Sequence, residues 1–281
     1  MGQGCCLPSN GRPEHVWDLT RTYQEFATPN ELKMLATIRS QTSDMFDMKN
    51  TEHKNMLLRL WKAALPEDEV PDLDKPHQRW KYIGFQNARP ETDFRAAGWL
   101  GLRHLVQFAE KYPKLLHRIL AEQRYPWAAA SINITEIIVT HLKLRNPQPK
   151  IAPIPIDKIY NLQSFMWVAF RAFKGRHPEA KAEFFAIDAL HQCGSIMLDH
   201  LWNQRMERDR STNLLHFKLA LMETSAVMHH ILNLRPDTVQ EMEGQFIGKL
   251  PPSYTYLIKS RDCENGVVDE EGKNVEEPKR L

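Results

Sequence analysis

Apolar residues recur along most of this chain three and four positions apart, which is the spacing of one face of a helix. Leu102, Leu105, Val106 and Ala109 form one such stripe. Sustained alternation of apolar and polar residues, the pattern of a half-buried strand, does not occur in the sequence. We therefore predict an all-α fold with a single multi-helix domain. Helical patterns cover residues 14–27, a segment opening at Pro29, and residues 56–64, 102–109, 115–120, 134–141, 157–173, 178–206 and 211–234.

Proline and polar composition mark where this helical pattern stops. Residues 146–155 cannot form a regular helix, because proline lacks an N–H donor and its ring clashes with the preceding turn. This stretch is either an extended crossover or an ordered functional loop. Residues 40–50 are polar and are predicted to be loop. The C-terminal end is acidic with few core-forming residues. We predict an N-terminal tether at 1–13, the helical domain at 14–250 and a disordered acidic tail at 251–281.

One irregular stretch, residues 80–102, combines glycines and large aromatic residues with a polar run. Glycine permits backbone turns that a Cβ atom forbids. Each aromatic side chain buries a large apolar area and can hold an irregular segment rigid. The polar run, residues 91–95, ends at Arg95. We therefore predict a loop clamped against the helical core, with Arg95 held on it.

The order of these residues resembles the signature of the ELMO domain, specifically its ELMOD branch. That signature reads W-x-x-x-G-F-Q-x-x-x-P-x-T-D-F-R-G-x-G-x-L-G-L. The resemblance is strongest over residues 80–108 and extends over about residues 52–234. Scaffold-type ELMO proteins typically lack an arginine after the Asp-Phe pair, whereas this chain has Arg95. The matching positions are Trp80, Gly84-Phe85-Gln86, Pro90, Thr92-Asp93-Phe94-Arg95, Gly98 and Leu100-Gly101-Leu102.

The resemblance implies a GTPase-activating protein for Arf-family and Arf-like small GTPases, with Arg95 as its catalytic residue. An arginine supplied by a partner raises the rate of GTP hydrolysis by about 10³- to 10⁵-fold. The chain has no G-x-x-x-x-G-K-[ST] phosphate loop, so the nucleotide would belong to the partner. We expect no cofactor and no catalytic activity of the chain alone. The alternatives are a non-catalytic ELMO-type scaffold, which binds a small GTPase or its regulator, and a GTPase effector.

Residues around Arg95 are predicted to shape the loop or to contact the partner. Asp93 is expected to be a helix N-cap, with orientation of Arg95 as its alternative role, and Thr92 is expected to be a turn or cap residue. Gln86 either bonds the loop backbone or reaches the partner. Arg95 has its own alternative, an ion pair with Asp93 or Glu91. The aromatics are expected to be packing anchors rather than partner contacts. The predicted set is Trp80, Gly84, Phe85, Gln86, Arg89, Pro90, Thr92, Asp93 and Phe94.

Three positions depart from the usual signature of the family. Asn87 replaces a common glycine, although asparagine tolerates left-handed backbone. Arg89 replaces a frequent acidic residue and reverses a charge near Arg95, which can alter the choice of GTPase. Ala96 replaces the glycine after the arginine. If that position requires a positive φ, alanine there costs stability or displaces Arg95.

The N-terminus carries a pattern typical of lipidation. Removal of Met1 would expose Gly2 for myristoylation, and Cys5 or Cys6 could take palmitate. One departure is Cys6 itself, because the myristoylation pattern prefers Ser or Thr there. Two acyl chains are needed for stable anchoring. We predict a cytoplasmic protein, peripheral on membranes through these groups. The alternative is a terminus with unmodified thiols.

Composition narrows the remaining possibilities. The chain has 281 residues, of which 42% are hydrophobic and 26% charged, with a formal net charge of +2. This balance gives no argument for nucleic-acid binding. The four cysteines show neither a disulfide framework nor zinc-binding spacing, which favours a reducing compartment. Asp188, His191, Cys193 and His200 also fit no metal-binding pattern, so no metal is predicted.

Overall fold

The computed structural model describes residues 37–142, 144–145, 182–234, 236 and 239–258. These residues contain helices and turns and no strand, which confirms the all-α prediction. Residues 37–42 are helical as well. The 3-10 turns lie at Pro90–Arg95 and Leu214–His216. The helices are α1 (Thr51–Ala64), α2 (Arg79–Ile83), α3 (Gly98–Lys111), α4 (Pro113–Glu122), α5 (Trp127–His141), α6 (Ala182–Arg208), α7 (Phe217–Asn233), α8 (Val239–Ile247) and α9 (Pro252–Ile258).

Helix α3 lies at the centre of the described residues and packs against α1, α5 and α6. Its predicted stripe of Leu102, Leu105, Val106 and Ala109 is fully buried. Trp99, Leu100, His104 and Phe108 are buried too, so the helix is enclosed on nearly all sides. A helix enclosed in this way belongs to the interior of a domain rather than to its surface.

Helix α1 covers one side of α3, and its apolar face is the one that the sequence predicts. Asn50 caps its first turn, because its side-chain oxygen accepts a hydrogen bond from the Glu52 N–H at 2.8 Å. The loop predicted at 40–50 is wrong at its start, since residues 40–42 are helical. Thr42 stabilises that helical end by donating its hydroxyl to the Arg39 carbonyl at 2.8 Å. The apolar residues buried on this face of α1 are Met56, Leu57, Leu60, Trp61 and Ala64, and His53 is buried with them.

Helix α6 is long and largely buried, and it contacts α5, α7 and α8. Its buried acidic groups are paired with basic groups from other helices. Arg103 of α3 donates two hydrogen bonds to Asp188, at 3.2 and 2.6 Å. Such pairing offsets the free-energy cost of removing a carboxylate from water.

The predicted start of the tail at residue 251 is wrong, because residues 252–258 form α9. Tyr254 of this helix is buried, and its hydroxyl donates to the Asp199 carboxylate at 2.5 Å. Asp199 also accepts hydrogen bonds from Arg118 at 2.5 Å and from the Tyr125 hydroxyl at 3.0 Å. A polar network, rather than a long apolar stripe, holds α9 to the domain. Composition alone therefore gave no signal for it.

Several predictions lie outside the described residues. They are the lipidation of Gly2, Cys5 and Cys6, the N-terminal helices, the proline-rich segment 146–155 and the helix at 157–173. Among the helices that are described, none combines the length and the apolar character needed to cross a membrane.

Candidate functional site

The predicted loop begins where α2 ends, at Gly84. Its φ of 101° is left-handed, and its carbonyl accepts a hydrogen bond from the Ala129 N–H at 3.1 Å. A Cβ atom on residue 84 would lie 2.3 Å from the Trp127 backbone nitrogen. Only glycine satisfies both the backbone angle and this close approach. The first residue of the loop is therefore fastened directly to the start of α5.

Three aromatic side chains of this stretch anchor the loop in the core. Trp80, Phe85 and Phe94 are all buried. The ring centroids of Trp80 and Phe85 lie 5.5 Å apart, and those of Phe85 and Phe94 lie 5.7 Å apart. Both pairs are edge-to-face, an arrangement that aromatic rings favour. Pro90 is buried as well, at the first position of the 3-10 turn. These four residues shape the loop from within and offer no surface to a partner.

Polar side chains connect the two halves of the loop. The Asp93 carboxylate accepts a hydrogen bond from the Gln86 N–H at 2.8 Å. Asn87 donates its amide to the Thr92 hydroxyl at 2.8 Å, and that hydroxyl lies 2.9 Å from the Arg89 carbonyl, to which it donates. Partial burial raises the pKa of Asp93, and the bond from Gln86 opposes that rise. The cross-links fix the path of the backbone from 86 to 93.

The helix N-cap role expected for Asp93 is wrong. The residue before α3 is Ala97, and no side chain caps that helix. The Asp93 carboxylate is turned instead toward Gln86, seven residues earlier in the chain. Asp93 thus closes a loop rather than starting a helix.

Arg95 is exposed at the end of the 3-10 turn. Its Nε atom donates to the Thr92 carbonyl at 2.8 Å. Within the described residues its two terminal nitrogens have no hydrogen bond and no carboxylate at ion-pair distance. The ion pair considered for Arg95 is therefore not formed, because Asp93 bonds Gln86 and Glu91 pairs with Arg89 at 3.4 Å. The guanidinium is thus restrained at Nε, whereas its two terminal nitrogens bind no group among the described residues.

Gln86 and Arg89 are the other predicted residues with exposed side chains on this loop. We call the exposed set Gln86, Arg89 and Arg95 the arginine face. Thr92 and Asp93 lie between these residues and are partly buried. The arrangement places two guanidinium groups and one amide on a rigid surface, all of which are donors suited to phosphate or carboxylate oxygens.

The departures from the family signature fit this backbone without left-handed strain. Asn87 does not have a positive φ, and its side-chain oxygen accepts from the Arg89 N–H at 2.8 Å. Ala96 has φ −91° and ψ −53°, a right-handed conformation open to any residue. The left-handed turn occurs two residues later, at Gly98, where φ is 54°. A Cβ atom there would lie 2.2 Å from the Asp44 carbonyl oxygen.

Arg145 is a residue that the sequence reasoning missed. Its guanidinium donates to both carboxylate oxygens of Glu136, at 2.7 and 2.6 Å. The same guanidinium donates to the carbonyl of Ala96, the residue after Arg95. No local pattern could have identified it, because Ala96 is 49 residues away along the chain.

The other reactive side chains belong to the interior. Cys193 is buried, and burial raises the pKa of its thiol, which disfavours the reactive thiolate. His191 is stacked on His104 with ring centroids 4.2 Å apart, and Ser131 lies within hydrogen-bond distance of its Nε2 at 3.0 Å. Among the described residues, no group of three or more His, Cys, Asp or Glu side chains is arranged to hold a metal ion.

Comparison with known proteins gives a consistent family. Residues 36–216 match the model described as the ELMO/CED-12 family. The chain is 26% identical to ELMO domain-containing protein C of Dictyostelium discoideum over 223 residues, which are 78% of this chain and 33% of that protein. It is 38% identical to ELMO domain-containing protein 2 of Mus musculus over 103 residues, which are 35% of this chain and 34% of that protein.

A third relative, ELMO domain-containing protein B of Dictyostelium discoideum, is 30% identical over 152 residues, which are 50% of this chain and 52% of that protein. The chain thus spans between a third and about half of the length of these curated relatives. No solved structure matches it.

Proposed function

Because this chain belongs to the ELMO/CED-12 family, we propose that it is a GTPase-activating protein for Arf-family or Arf-like small GTPases. Arg95 is the residue that it supplies in trans to the nucleotide of the partner. The observation that carries this proposal is the state of Arg95, which is exposed, held at Nε and without a carboxylate at ion-pair distance among the described residues.

The geometry of Arg95 suits transition-state stabilisation. GTP hydrolysis builds negative charge on phosphoryl oxygens, and a guanidinium with its two terminal nitrogens unoccupied can donate to two oxygens at once. The bond from Nε to the Thr92 carbonyl restricts the side chain without neutralising its charge. Less side-chain entropy is then lost when the guanidinium enters the partner. A rate increase of about 10³- to 10⁵-fold is the scale known for such arginines.

The rest of the arginine face serves recognition in this proposal. Gln86 and Arg89 are exposed on the same loop as Arg95 and contact the partner around its nucleotide site. Charge at the rim of an interface mainly tunes association rate and specificity. Arg89 therefore selects among GTPases rather than contributing to hydrolysis.

N-terminal acylation would place the protein on the membrane of its target. We propose that Gly2 is myristoylated and that Cys5 or Cys6 is palmitoylated. Two chains give stable anchoring, and sharing a surface raises the effective concentration of the two proteins. Intact-mass spectrometry of native protein tests this part, and an unmodified N-terminus contradicts it.

Single-turnover GTP hydrolysis tests the main proposal. A panel of Arf-family and Arf-like GTPases loaded with GTP is mixed with wild type, Arg95→Lys or Arg95→Ala. Arg210, exposed in the turn that follows α6, supplies the matched control as Arg210→Ala. We expect acceleration by wild type and Arg210→Ala, and a loss of about 10³-fold or more for the Arg95 variants.

The same assay separates the competing functions. A scaffold binds a GTPase or its regulator and leaves the hydrolysis rate unchanged whether or not Arg95 is present. An effector binds the GTP-bound state preferentially, again without acceleration. Either result, obtained with a GTPase that demonstrably binds, contradicts the proposed activity.

A further inference from the structure

We propose that Arg145 is a positioning residue, which fixes the backbone beneath Arg95 and so sets the direction of its guanidinium. This inference rests on the proposed function of Arg95. Arg145 does not belong to the 80–102 signature, and it lies after α5, far from Arg95 in sequence. Its guanidinium nevertheless contacts Ala96, the residue next to Arg95.

The carbonyl of Ala96 is the point of attachment. The 3-10 turn ends at Arg95, and the last carbonyls of a helical turn have no partner within that turn. At the start of α3, the Trp99 N–H donates to the Asp44 carbonyl at 2.9 Å instead of turning back toward residue 96. The Arg145 guanidinium satisfies the Ala96 carbonyl. A hydrogen bond with a charged donor is stronger than a neutral one.

Glu136 makes this attachment rigid. It projects from α5 and binds the Arg145 guanidinium through both oxygens, at 2.7 and 2.6 Å. A two-point bond between planar groups fixes orientation as well as distance. The hydrogen bond to Glu136 raises the guanidinium pKa of Arg145, and partial burial opposes that rise. The group remains charged and paired at any physiological pH.

Helix α5 thereby holds the loop at both ends. At the near end the Ala129 N–H binds the Gly84 carbonyl at 3.1 Å. At the far end Glu136, through Arg145, binds the Ala96 carbonyl. The contact at Gly84 is a bond between two backbone groups, whereas the contact at Ala96 is made by the side chain of Arg145. Loss of Arg145 would remove the contact between α5 and residue 96, and the short exposed segment 95–96, between the buried residues Phe94 and Gly98, could then shift.

A shift of Arg95 affects the chemical step more than binding. Misplacement of a catalytic group by about 1 Å can cost on the order of 10²-fold in rate. The exposed side chains that meet the partner, Gln86 and Arg89, lie on the part of the loop cross-linked by Asp93 and Thr92. They should keep their positions without Arg145. We therefore expect Arg145→Ala to lower the maximal hydrolysis rate by about 10- to 100-fold and to leave the half-saturating concentration unchanged.

A double-mutant cycle tests the proposal with the full chain and a responsive GTPase. Arg145→Ala, Glu136→Gln and the control Arg210→Ala are each measured with Arg95 present and with Arg95→Ala. If Arg145 acts through Arg95, its removal slows hydrolysis only while Arg95 is present. Glu136→Gln weakens the hold on the Arg145 guanidinium but leaves its bond to the Ala96 carbonyl in place. It should therefore give a smaller loss of hydrolysis rate, again only while Arg95 is present.

The outcomes distinguish this inference from the proposed function. If Arg95→Ala is fully active, the proposed function fails whatever Arg145 does. If Arg95→Ala is inactive while Arg145→Ala and Glu136→Gln keep the wild-type maximal rate, only the positioning role is overturned. The positioning role is also overturned if these variants raise the half-saturating concentration and leave the maximal rate unchanged. Thermal unfolding of each variant identifies loss of fold, and Glu136→Gln, which retains Arg145, decides the question if Arg145→Ala does not fold.

Discussion

Arg95 and the arginines that pair with buried carboxylates lie in contrasting settings, and the difference separates folding from the proposed function. In the interior, Arg103 and Arg118 are paired with the buried carboxylates of Asp188 and Asp199. On the loop, Arg95 is fixed by a neutral backbone carbonyl. A carboxylate partner holds a guanidinium by neutralising it, whereas a carbonyl holds it and leaves its charge available. The role that we propose for Arg95, binding a partner's phosphates, requires the second arrangement.

The largest expected effect is the loss of stimulated GTP hydrolysis when the loop arginine, Arg95, is removed. Arg95→Ala should reduce stimulated GTP hydrolysis by about 10³-fold or more, which corresponds to about 4 kcal/mol of barrier. Its free energy of unfolding should stay within about 0.5 kcal/mol of wild type, because the residue is exposed. Chemical denaturation alongside single-turnover kinetics measures both quantities. A clear loss of stability would show that Arg95 holds the fold and would remove the contrast.

The next largest effect concerns an arginine of the interior, and it should appear in the free energy of unfolding rather than in the hydrolysis rate. Arg118→Ala leaves Asp199 with an uncompensated buried charge, so we expect a loss of about 3 to 5 kcal/mol in the free energy of unfolding. Arg59 provides the matched control, since it pairs with Glu110 at 2.7 Å while both side chains remain well exposed. Arg59→Ala should cost less than about 1 kcal/mol. Equal losses for the two variants would contradict the role given to burial.

Acid should destabilise the interior before it affects the loop. Burial lowers the pKa of His191 to about 4, lowers that of His141 to about 4, and lowers that of His104 well below its usual range. Below about pH 6.5 the unfolded chain binds protons that the folded chain does not, so stability falls as pH decreases toward 4. Each histidine contributes a slope of up to about 1.4 kcal/mol per pH unit.

Asp188 faces His104, with its carboxylate 3.7 Å from His104 Nε2, and it opposes this trend. Burial raises the pKa of Asp188, so the folded state binds a proton there more readily as pH falls. Denaturation at pH 7 and pH 5 of wild type and His191→Gln isolates the histidine contribution. We expect a shallower pH dependence for the variant, and identical slopes would exclude His191 as a cause.

The smallest expected effect concerns the C-terminal helix. Tyr254→Phe removes the hydrogen bond that the hydroxyl donates to Asp199 and the one that it accepts from the Asn203 amide, and it should cost about 1 to 2 kcal/mol in the free energy of unfolding. Tyr256, which is exposed on the same helix, gives the control as Tyr256→Phe and should be neutral. Stability unchanged by Tyr254→Phe would mean that α9 is not held by this network.

The sequence predicted the parts of the molecule that depend on local pattern. The buried faces of α1 and α3 follow from apolar spacing, because helix geometry places residues three and four apart on one side. The glycines and aromatics of residues 80–102 predicted a clamped loop, and Gly84 meets both demands made on it. Arg95 was found from the signature around it.

Interactions between distant segments were the parts that local pattern could not predict. The bond between Arg145 and Ala96 spans 49 residues, and Asp199 joins groups from α4 and α9. No period or motif encodes such pairs. Asp93 illustrates the same limit, since its residue type favours a cap whereas its actual partner is the backbone of Gln86.

The fastening of the Gly84 carbonyl to Ala129 has a consequence for the thermodynamics of association. Ordering of this segment is completed when the chain folds, since Gly84 is packed against the backbone at the start of α5 and is bonded to it. Docking of the proposed GTPase partner would then require no further ordering of this segment. Calorimetry of complex formation should show a small heat-capacity change, governed by the contact area alone and without the additional contribution of a folding loop.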